Sequence, residues 1–164
     1  MRLFAQAASL APGADPTQAE DYLTSGSDVP LSTIQAYLET DYCVHGDSPA
    51  VLRVGEFCPA LAGLHAAYRV NCSTFITACN PHSQVRDDAV NANRQSALAH
   101  ELERRSLIFI NGIGKHPSNK WPGEASFLVL GLGLATAKTL GTRLEQNAIV
   151  WNGLNAVPRL ILLR

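Results

Sequence analysis

Apolar side chains recur at helical spacing just after Pro30, and this periodicity is typical of an amphipathic helix. The apolar stripe consists of Leu31, Ile34, Tyr37, Leu38 and Tyr42. Pro30 lies near the first turn, where a missing backbone N–H is tolerated. A short apolar run at 50–54 then predicts a strand, and a second stripe after Pro59 predicts another helix. The second stripe consists of Leu61, Leu64, His65 and Tyr68. We therefore expect an N-terminal helix-strand-helix extension.

The rest of the chain alternates between strand-like and helical patterns. We predict strands at 73–79, 107–113, 126–132 and 148–151, and helices at about 87–105 and 134–144. From Ser73 onward the order is strand-helix-strand-strand-helix-strand, which is the split βαβ order of a ferredoxin-like sandwich. The sequence thus predicts an α+β fold with a ferredoxin-like split βαβ core, whose helices cover one face of a mostly antiparallel sheet. A three-layer α/β sheet, with the N-terminal helices on the other face, is the alternative.

The last two predicted strands form a hairpin. Asn152-Gly153 is a type I′ turn signal, and it stands between a strand at 148–151 and an apolar run at 157–163. Pro158 disturbs the second strand, so the pattern leaves the hairpin register open.

The composition predicts one folded domain, because 46% of the 164 residues are apolar and only 16% are charged. Residues 11–30 are rich in Pro, Gly, Ser, Asp and Thr and contain few large apolar side chains. We therefore expect residues 1–30 to form an extended lead-in or arm, and residues 31–164 to form a single domain. The formal net charge of −1 gives no support for nucleic-acid binding. No apolar run approaches the ~18 residues of a membrane span. The oligomeric state does not follow from the sequence.

The four cysteines form no Cys-x-x-Cys pair, and in a chain of this size they are typical of reduced thiols in a cytoplasmic protein. Cys79-x-x-His82 and Cys43-x-His45 are isolated fragments, whereas zinc sites usually show two tight pairs. We therefore predict no metal and no cofactor. Cys79 beside His82 also suggests a nucleophile pair, but a buried, inert thiol is the favoured interpretation.

Four motifs stand in a fixed order along the chain. They are FITACNPHS at 75–83, NANRQ at 91–95, WPGEASFLVLG at 121–131 and QNAIVW at 146–151. In this order they resemble the bacterial family known as domain of unknown function 3293, and the resemblance extends over about 34–163. It implies a bacterial origin and carries no activity with it.

Polar side chains occur where predicted strands begin and end. These candidate ligand-binding residues are Asn80, Ser83, Asn91, Glu124 and Gln146. Binding sites in sheets favour strand ends and loops, so we expect some of these groups to converge. Amides with one carboxylate suit a ligand that has both donors and acceptors, such as a base or a sugar. The alternative is structural, since Asn and Ser also cap turns and tie loops to helix ends.

Two further features have plainer interpretations. Gly131-Leu-Gly133 follows a strand and opens a helix, like a dinucleotide-binding loop, but Thr136 and the lack of a later acidic residue favour a simple turn. The loop at 114–121 combines positive charge with an aromatic side chain, which could stack a base. Its residues Lys115, His116, Lys120 and Trp121 are more typical of a solvated loop.

The sequence therefore predicts a cytosolic binding or regulatory domain for a small polar, nucleotide-like ligand. The alternative is a hydrolase or transferase that uses Glu124, with Asn and Gln side chains as positioning groups. A protein-interaction domain is the third interpretation. The sequence does not decide whether the protein is an enzyme.

Overall fold

The computed structural model describes residues 26–118 and 122–164, which form four α-helices and seven strands. The helices are α1 Leu31–Glu39, α2 Pro59–Tyr68, α3 Asp88–Arg104 and α4 Leu134–Arg143. The strands are β1 Asp41–Val44, β2 Ala50–Leu52, β3 Ser73–Ile76, β4 Phe109–Lys115, β5 Glu124–Leu130, β6 Ala148–Asn152 and β7 Pro158–Leu162. A 3-10 turn at Pro81–Ser83 follows β3. Of the predicted lead-in at 1–30, residues 1–25 lie outside the described residues.

The seven strands form one sheet in the order β2-β1-β4-β5-β3-β6-β7, and every neighbouring pair is antiparallel. The strand β3 lies between β5 and β6, with Ile76 opposite Phe127 and Phe75 opposite Val150. The carboxyl end of β3 therefore lies beside the amino ends of β5 and β6. This adjacency gathers three chain segments, distant in sequence, at one end of the sheet.

Helices cover both faces of the sheet. Successive strand residues alternate between two buried clusters: Phe75 belongs to one and Ile76 to the other. The first cluster contains Ile34 of α1 and Leu61 of α2, and the second contains Leu98 of α3. The mixed α/β architecture is thus confirmed, and the layers follow the three-layer alternative, because the N-terminal helices bury the face that α3 and α4 leave uncovered.

The first strand was not predicted. The apolar stripe that includes Tyr42 predicts a helix through that residue, but α1 ends at Glu39 and Tyr42 lies in β1. Thr40 is already extended, at φ −73° and ψ 134°. The strand β1 pairs with both β2 and β4, and these ladder hydrogen bonds outweigh the local helical pattern. The extension is therefore helix-strand-strand-helix.

The predicted type I′ turn at Asn152-Gly153 is wrong. Asn152 is the last residue of β6 and pairs with Pro158, so five residues connect the two strands. A type I′ turn needs positive φ at both central residues, whereas the positive φ in this loop, 51°, occurs at Ala156. The side chain of Asn152 is fully buried and donates to Ser73 Oγ at 3.1 Å, which holds the residue within the sheet.

None of the helices in the described part of the chain is long and apolar enough to cross a membrane.

Candidate functional site

The five candidate residues lie at one end of the sheet. Asn80 follows β3, Ser83 ends the 3-10 turn, Asn91 lies in the first turn of α3, Glu124 begins β5 and Gln146 precedes β6. The antiparallel pairing of β3 with β5 and β6 gives the physical reason, because it places the end of one strand beside the starts of the other two.

A cavity of about 460 Å³ opens between α1 and this end of the sheet. Three of the five candidates, Ser83, Glu124 and Gln146, line it. Its lining also includes apolar and aromatic side chains such as Phe75 and Tyr42, and further polar residues such as Thr77 and His116. This volume and this mixture of an apolar lining with a few polar groups are those of small-molecule sites.

Asn80 and Asn91 do not line the cavity but position one of its walls. Asn91 Oδ1 accepts the backbone N–H of Asn80, and Asn91 Nδ2 donates to Asn80 Oδ1, both at 2.9 Å. Asn80 Nδ2 in turn donates to Glu124 Oε1 at 2.7 Å. A chain of amide hydrogen bonds thus runs from α3 through the loop after β3 to the carboxylate in the cavity.

The loop after β3 has an unusual backbone. Asn80, His82 and Ser83 adopt positive φ values of 45°, 52° and 57°, a region that side-chain-bearing residues rarely occupy. Hydrogen bonds hold the conformation: Asn80 Oδ1 accepts the N–H of Arg86 at 2.9 Å, and His82 N donates to the carbonyl of Glu145 at 2.7 Å. Strained backbone of this kind clusters at functional sites, and here it lies beside the cavity.

Ser83 belongs to a second polar group, which includes two residues that the sequence did not single out. Its Oγ forms a short hydrogen bond with Tyr37 Oη. Asn147 Nδ2 donates to both oxygens, at 3.1 Å to Ser83 and 3.2 Å to Tyr37. Tyr37 was not recognised because it fits the apolar stripe of α1. Asn147 could have been recognised, because it stands directly after the candidate Gln146 and directly before a strand.

Gln146 holds the same loop from the other side. Its Nε2 donates to the carbonyl of Cys79 at 2.9 Å and to that of Leu144 at 3.4 Å. The amide nitrogen therefore faces the protein backbone. The structural interpretation of the Asn and Gln side chains thus accounts for several of their hydrogen bonds. Gln146 also lines the cavity.

Cys79 is buried and is not placed to act as a nucleophile. Burial raises the pKa of its thiol above the ordinary value. His82 Nδ1 is in hydrogen-bond contact with Arg164 Nη1 at 3.1 Å rather than with the thiol. In residues 26–118 and 122–164, no group of three or more His, Cys, Asp and Glu side chains is arranged to hold a metal ion.

Two sequence features remain, the glycine turn at Gly131 and the loop at 114–121. The turn lies away from the candidate residues, whereas part of the loop lines the cavity. The glycine turn at Gly131 follows the carboxyl end of β5, opposite to the end at which Glu124 faces the cavity. In the loop at 114–121, Lys120 and Trp121 lie outside the described residues. His116 lines the cavity and contacts Ser118 Oγ at 2.8 Å and Glu39 Oε2 at 3.2 Å.

Comparison with known proteins gives a match to a family model over part of the chain. No curated protein and no solved structure matches the chain. One family model matches, and it contains Asn80, Ser83, Asn91, Glu124 and Gln146 within its span. The resemblance noted from the four motifs is therefore confirmed over that span. Residues 76–149 match the family model described as protein of unknown function (DUF3293).

Proposed function

We propose that the protein binds a small polar ligand in the cavity between α1 and the sheet. The observation that carries this proposal is the convergence of Ser83, Glu124 and Gln146 on one cavity of about 460 Å³. These side chains come from three separate chain segments, and polar groups that converge on a pocket with apolar walls are typical of ligand sites.

The rigidity of the surrounding loop supports a binding role. Glu124 is oriented by Asn80, which Asn91 orients in turn, and the loop is pinned by Gln146. A site whose polar groups are held in place before the ligand arrives avoids part of the entropy loss of binding. The positive φ values at Asn80, His82 and Ser83 add a backbone cost that such a role would explain.

For a nucleotide-like ligand, we propose that the cavity binds only the base or nucleoside part and no phosphate. No Lys or Arg occurs among the described residues that line the cavity, and Glu124 contributes a carboxylate. A phosphate would be repelled by that carboxylate, because both carry negative charge. The aromatic rings of Tyr37, Tyr42 and Phe75 suit a planar group.

A hydrolase or transferase that uses Glu124 is the second candidate function. The hydrogen bond from Asn80 favours it, because a general base must be held in one orientation relative to its substrate. In this alternative, Glu124→Gln would abolish turnover of a bound ligand while leaving its binding measurable.

The finer features expected from the sequence stay predictions. We propose that β3, α3, β4, β5, α4 and β6 form a ferredoxin-like core, and the strand order β4-β5-β3-β6 supports this. A bacterial origin and a cytoplasmic location are likewise predictions.

The binding proposal is tested by a thermal-shift screen of nucleobases, nucleosides, sugars and amines, because a ligand of the native state raises the melting temperature by mass action. Hits are compared with a Ser83→Ala, Gln146→Ala double variant, and Lys138→Ala on the opposite helical layer is the matched control. We expect hits to be lost in the double variant alone. Hits that survive unchanged in it would place binding elsewhere and contradict the proposal.

A further inference from the structure

We infer that the cavity recognises an uncharged ligand through an amide-type group, a C=O beside an N–H, as in a lactam, an imide or the edge of a nucleobase. The ligand carbonyl accepts a hydrogen from the hydroxyl pair of Tyr37 and Ser83, and the ligand N–H donates to Gln146 Oε1. The inference rests on the proposed ligand binding and defines the class of ligand. It follows from the way in which the protein already uses the polar hydrogens of these side chains.

The side-chain amide of Asn147 is held in one orientation beside the hydroxyl pair. Its Nδ2 donates to Ser83 Oγ at 3.1 Å and to Tyr37 Oη at 3.2 Å. Its Oδ1 accepts from Arg164 Nη1 at 3.4 Å. The reverse orientation would place the amide NH₂ against a guanidinium, which has only donors. Arg164 therefore keeps the amide hydrogens of Asn147 directed at the two hydroxyl oxygens.

Tyr37 and Ser83 together have one hydroxyl hydrogen left for a ligand. Each oxygen accepts from Asn147, and one of the two hydroxyls donates to the other. Because each hydroxyl has a single hydrogen, the second hydrogen of the pair has no acceptor among the described residues. Both side chains line the cavity. Whichever hydroxyl keeps its hydrogen can donate it to an acceptor on a ligand there.

Other hydroxyl groups of the lining do not make the same selection. Those of Thr40, Thr77 and Ser126 each donate to a backbone carbonyl, at 2.7, 2.7 and 3.0 Å, so their hydrogens are used within the protein. Ser32 and Thr33 also line the cavity, but a hydroxyl can either donate or accept, so they do not discriminate between classes of ligand.

Gln146 supplies an acceptor that complements this donor. Its Nε2 donates to the carbonyl of Cys79 at 2.9 Å and to that of Leu144 at 3.4 Å. The amide group has donors only on its nitrogen. Because Gln146 lines the cavity, its Oε1 is the polar atom that it offers to a ligand.

The donor and the acceptor belong to one junction between two chain segments. Three successive residues, 145–147, each form a hydrogen bond to the loop at 79–83. The hydroxyl pair and Gln146 Oε1 therefore face the cavity at the same junction. A ligand group that carries an acceptor and a donor side by side, such as the C=O and N–H of a lactam, matches both.

The charges of the lining favour an uncharged group. No Lys or Arg occurs among the described residues that line the cavity. His116 does line it, but its Nδ1 contacts Ser118 Oγ at 2.8 Å and its Nε2 contacts Glu39 Oε2 at 3.2 Å, so both ring nitrogens are engaged within the protein. An anion would exchange its hydration for a neutral hydroxyl hydrogen, which is costly. An ammonium has only donors and would leave that hydrogen without an acceptor.

Three uncharged probes with one bicyclic frame test the inference. Dihydro-2-quinolinone is a lactam with both groups, its N-methyl derivative keeps only the C=O, and tetrahydroquinoline keeps only the N–H. Their rings can bury apolar surface against Phe75, Ile149 and Val150, which line the cavity. Binding to the full chain is measured at neutral pH by NMR titration, following the amide signals of Ser83 and Ala148. We expect the lactam to bind about five- to tenfold more tightly than either analogue, because each analogue lacks one hydrogen bond.

Asn147→Asp tests the direction of the hydroxyl hydrogens, because Asn147 does not itself line the cavity. The N147D carboxylate accepts where the amide donates, so it draws the hydrogens of Tyr37 and Ser83 away from the ligand. We expect the lactam affinity to fall to that of tetrahydroquinoline, whose own affinity stays the same. Asn155→Asp is the matched control and should change neither affinity. It adds the same charge on an exposed loop and keeps the acceptor for the N–H of Val157.

Equal affinity of the lactam and either analogue for the wild-type protein would overturn this inference and leave the proposed function standing. Unchanged lactam binding in the Asn147→Asp variant would overturn it as well. If that variant does not fold, the comparison of the three probes on the wild-type protein still decides. If none of the probes perturbs the cavity signals, the inference fails, and the proposed function fails with it when the wider screen also gives no cavity ligand.

Discussion

Asn80 Nδ2 lies 2.7 Å from Glu124 Oε1, although 44 residues separate the two along the chain. Asn80 is buried, and its side-chain oxygen accepts from Asn91 Nδ2 and from the backbone N–H of Arg86. One amide therefore links the loop after β3, the start of α3 and the carboxylate at the start of β5.

Replacing Asn80 should separate its side-chain role from its backbone role. Asn80→Ala removes the hydrogen bonds to Glu124 and Asn91 and also forces alanine to keep a φ of 45°. We expect a loss of about 2–4 kcal/mol in the free energy of unfolding. Asn80→Gly removes the same bonds without the left-handed penalty, and should be about 1 kcal/mol more stable than the alanine variant. Urea unfolding measures both, and equal stabilities would contradict the assigned backbone strain.

Asn91→Asp should give a pH-dependent defect. The amide Nδ2 of Asn91 donates to Asn80 Oδ1 at 2.9 Å, and the N91D carboxylate would place an oxygen against that acceptor. This repulsion raises the folded-state pKa of the new carboxyl above its unfolded value, so the destabilisation should be present at pH 7 and diminish as the pH falls. Unfolding at pH 7 and at about pH 5 tests this. Asn91→Ala is the control, and a pH dependence of the same size in it would contradict the assigned hydrogen bond.

His65 should make stability depend on pH near neutrality. Its side chain is buried, Nε2 is 2.9 Å from Ser73 Oγ, and Nδ1 has no hydrogen-bond partner among the described residues. Burial lowers the pKa of His65 below the ordinary histidine value of 6.5. The unfolded chain then binds the proton more readily, so stability should fall as the pH drops below that value.

The comparison of wild type with His65→Gln isolates this contribution. The variant should show a flatter stability profile between pH 7 and about 5, since Gln does not titrate. Glu101 does not interfere, because Arg143 lowers the pKa of that carboxyl below 4.5, and its contribution is lost only as the pH falls further. Parallel profiles for the two proteins would contradict the prediction.

Gly112 should tolerate no side chain. A Cβ there would lie 2.6 Å from the carbonyl oxygen of Cys43 and 2.7 Å from a ring carbon of Phe75. We expect Gly112→Ala to destabilise the protein by about 2 kcal/mol or more and to disturb the cavity that Phe75 lines. Gly63→Ala is the matched control, because Gly63 lies in α2 with no atom within 4 Å of the added carbon. That change should stabilise by up to about 1 kcal/mol, as measured by urea unfolding.

Local patterns predicted the elements best where the chain itself dictates the geometry. The helix expected at 87–105 is found at Asp88–Arg104, with Asp87 accepting the N–H of Ala89 as its cap. The strand β5 and the helix α4 were also recognised, since continuous apolar runs and helical stripes are properties of neighbouring residues. The strand β1 was missed because only its pairing with β2 and β4 makes it a strand.

The sequence by itself determined that Asn80, Ser83, Asn91, Glu124 and Gln146 stand at the ends of strands and at the start of a helix, because hydrophobic periodicity marks where each element begins and ends. Only the tertiary structure decided which of them meet. The pairing of β3 with both β5 and β6 brought Glu124 and Gln146 to the loop after β3, and α1 added Tyr37 from the other side. Strand neighbours depend on contacts between distant segments, as between Gln146 and Cys79, 67 residues apart, and no local pattern encodes that choice.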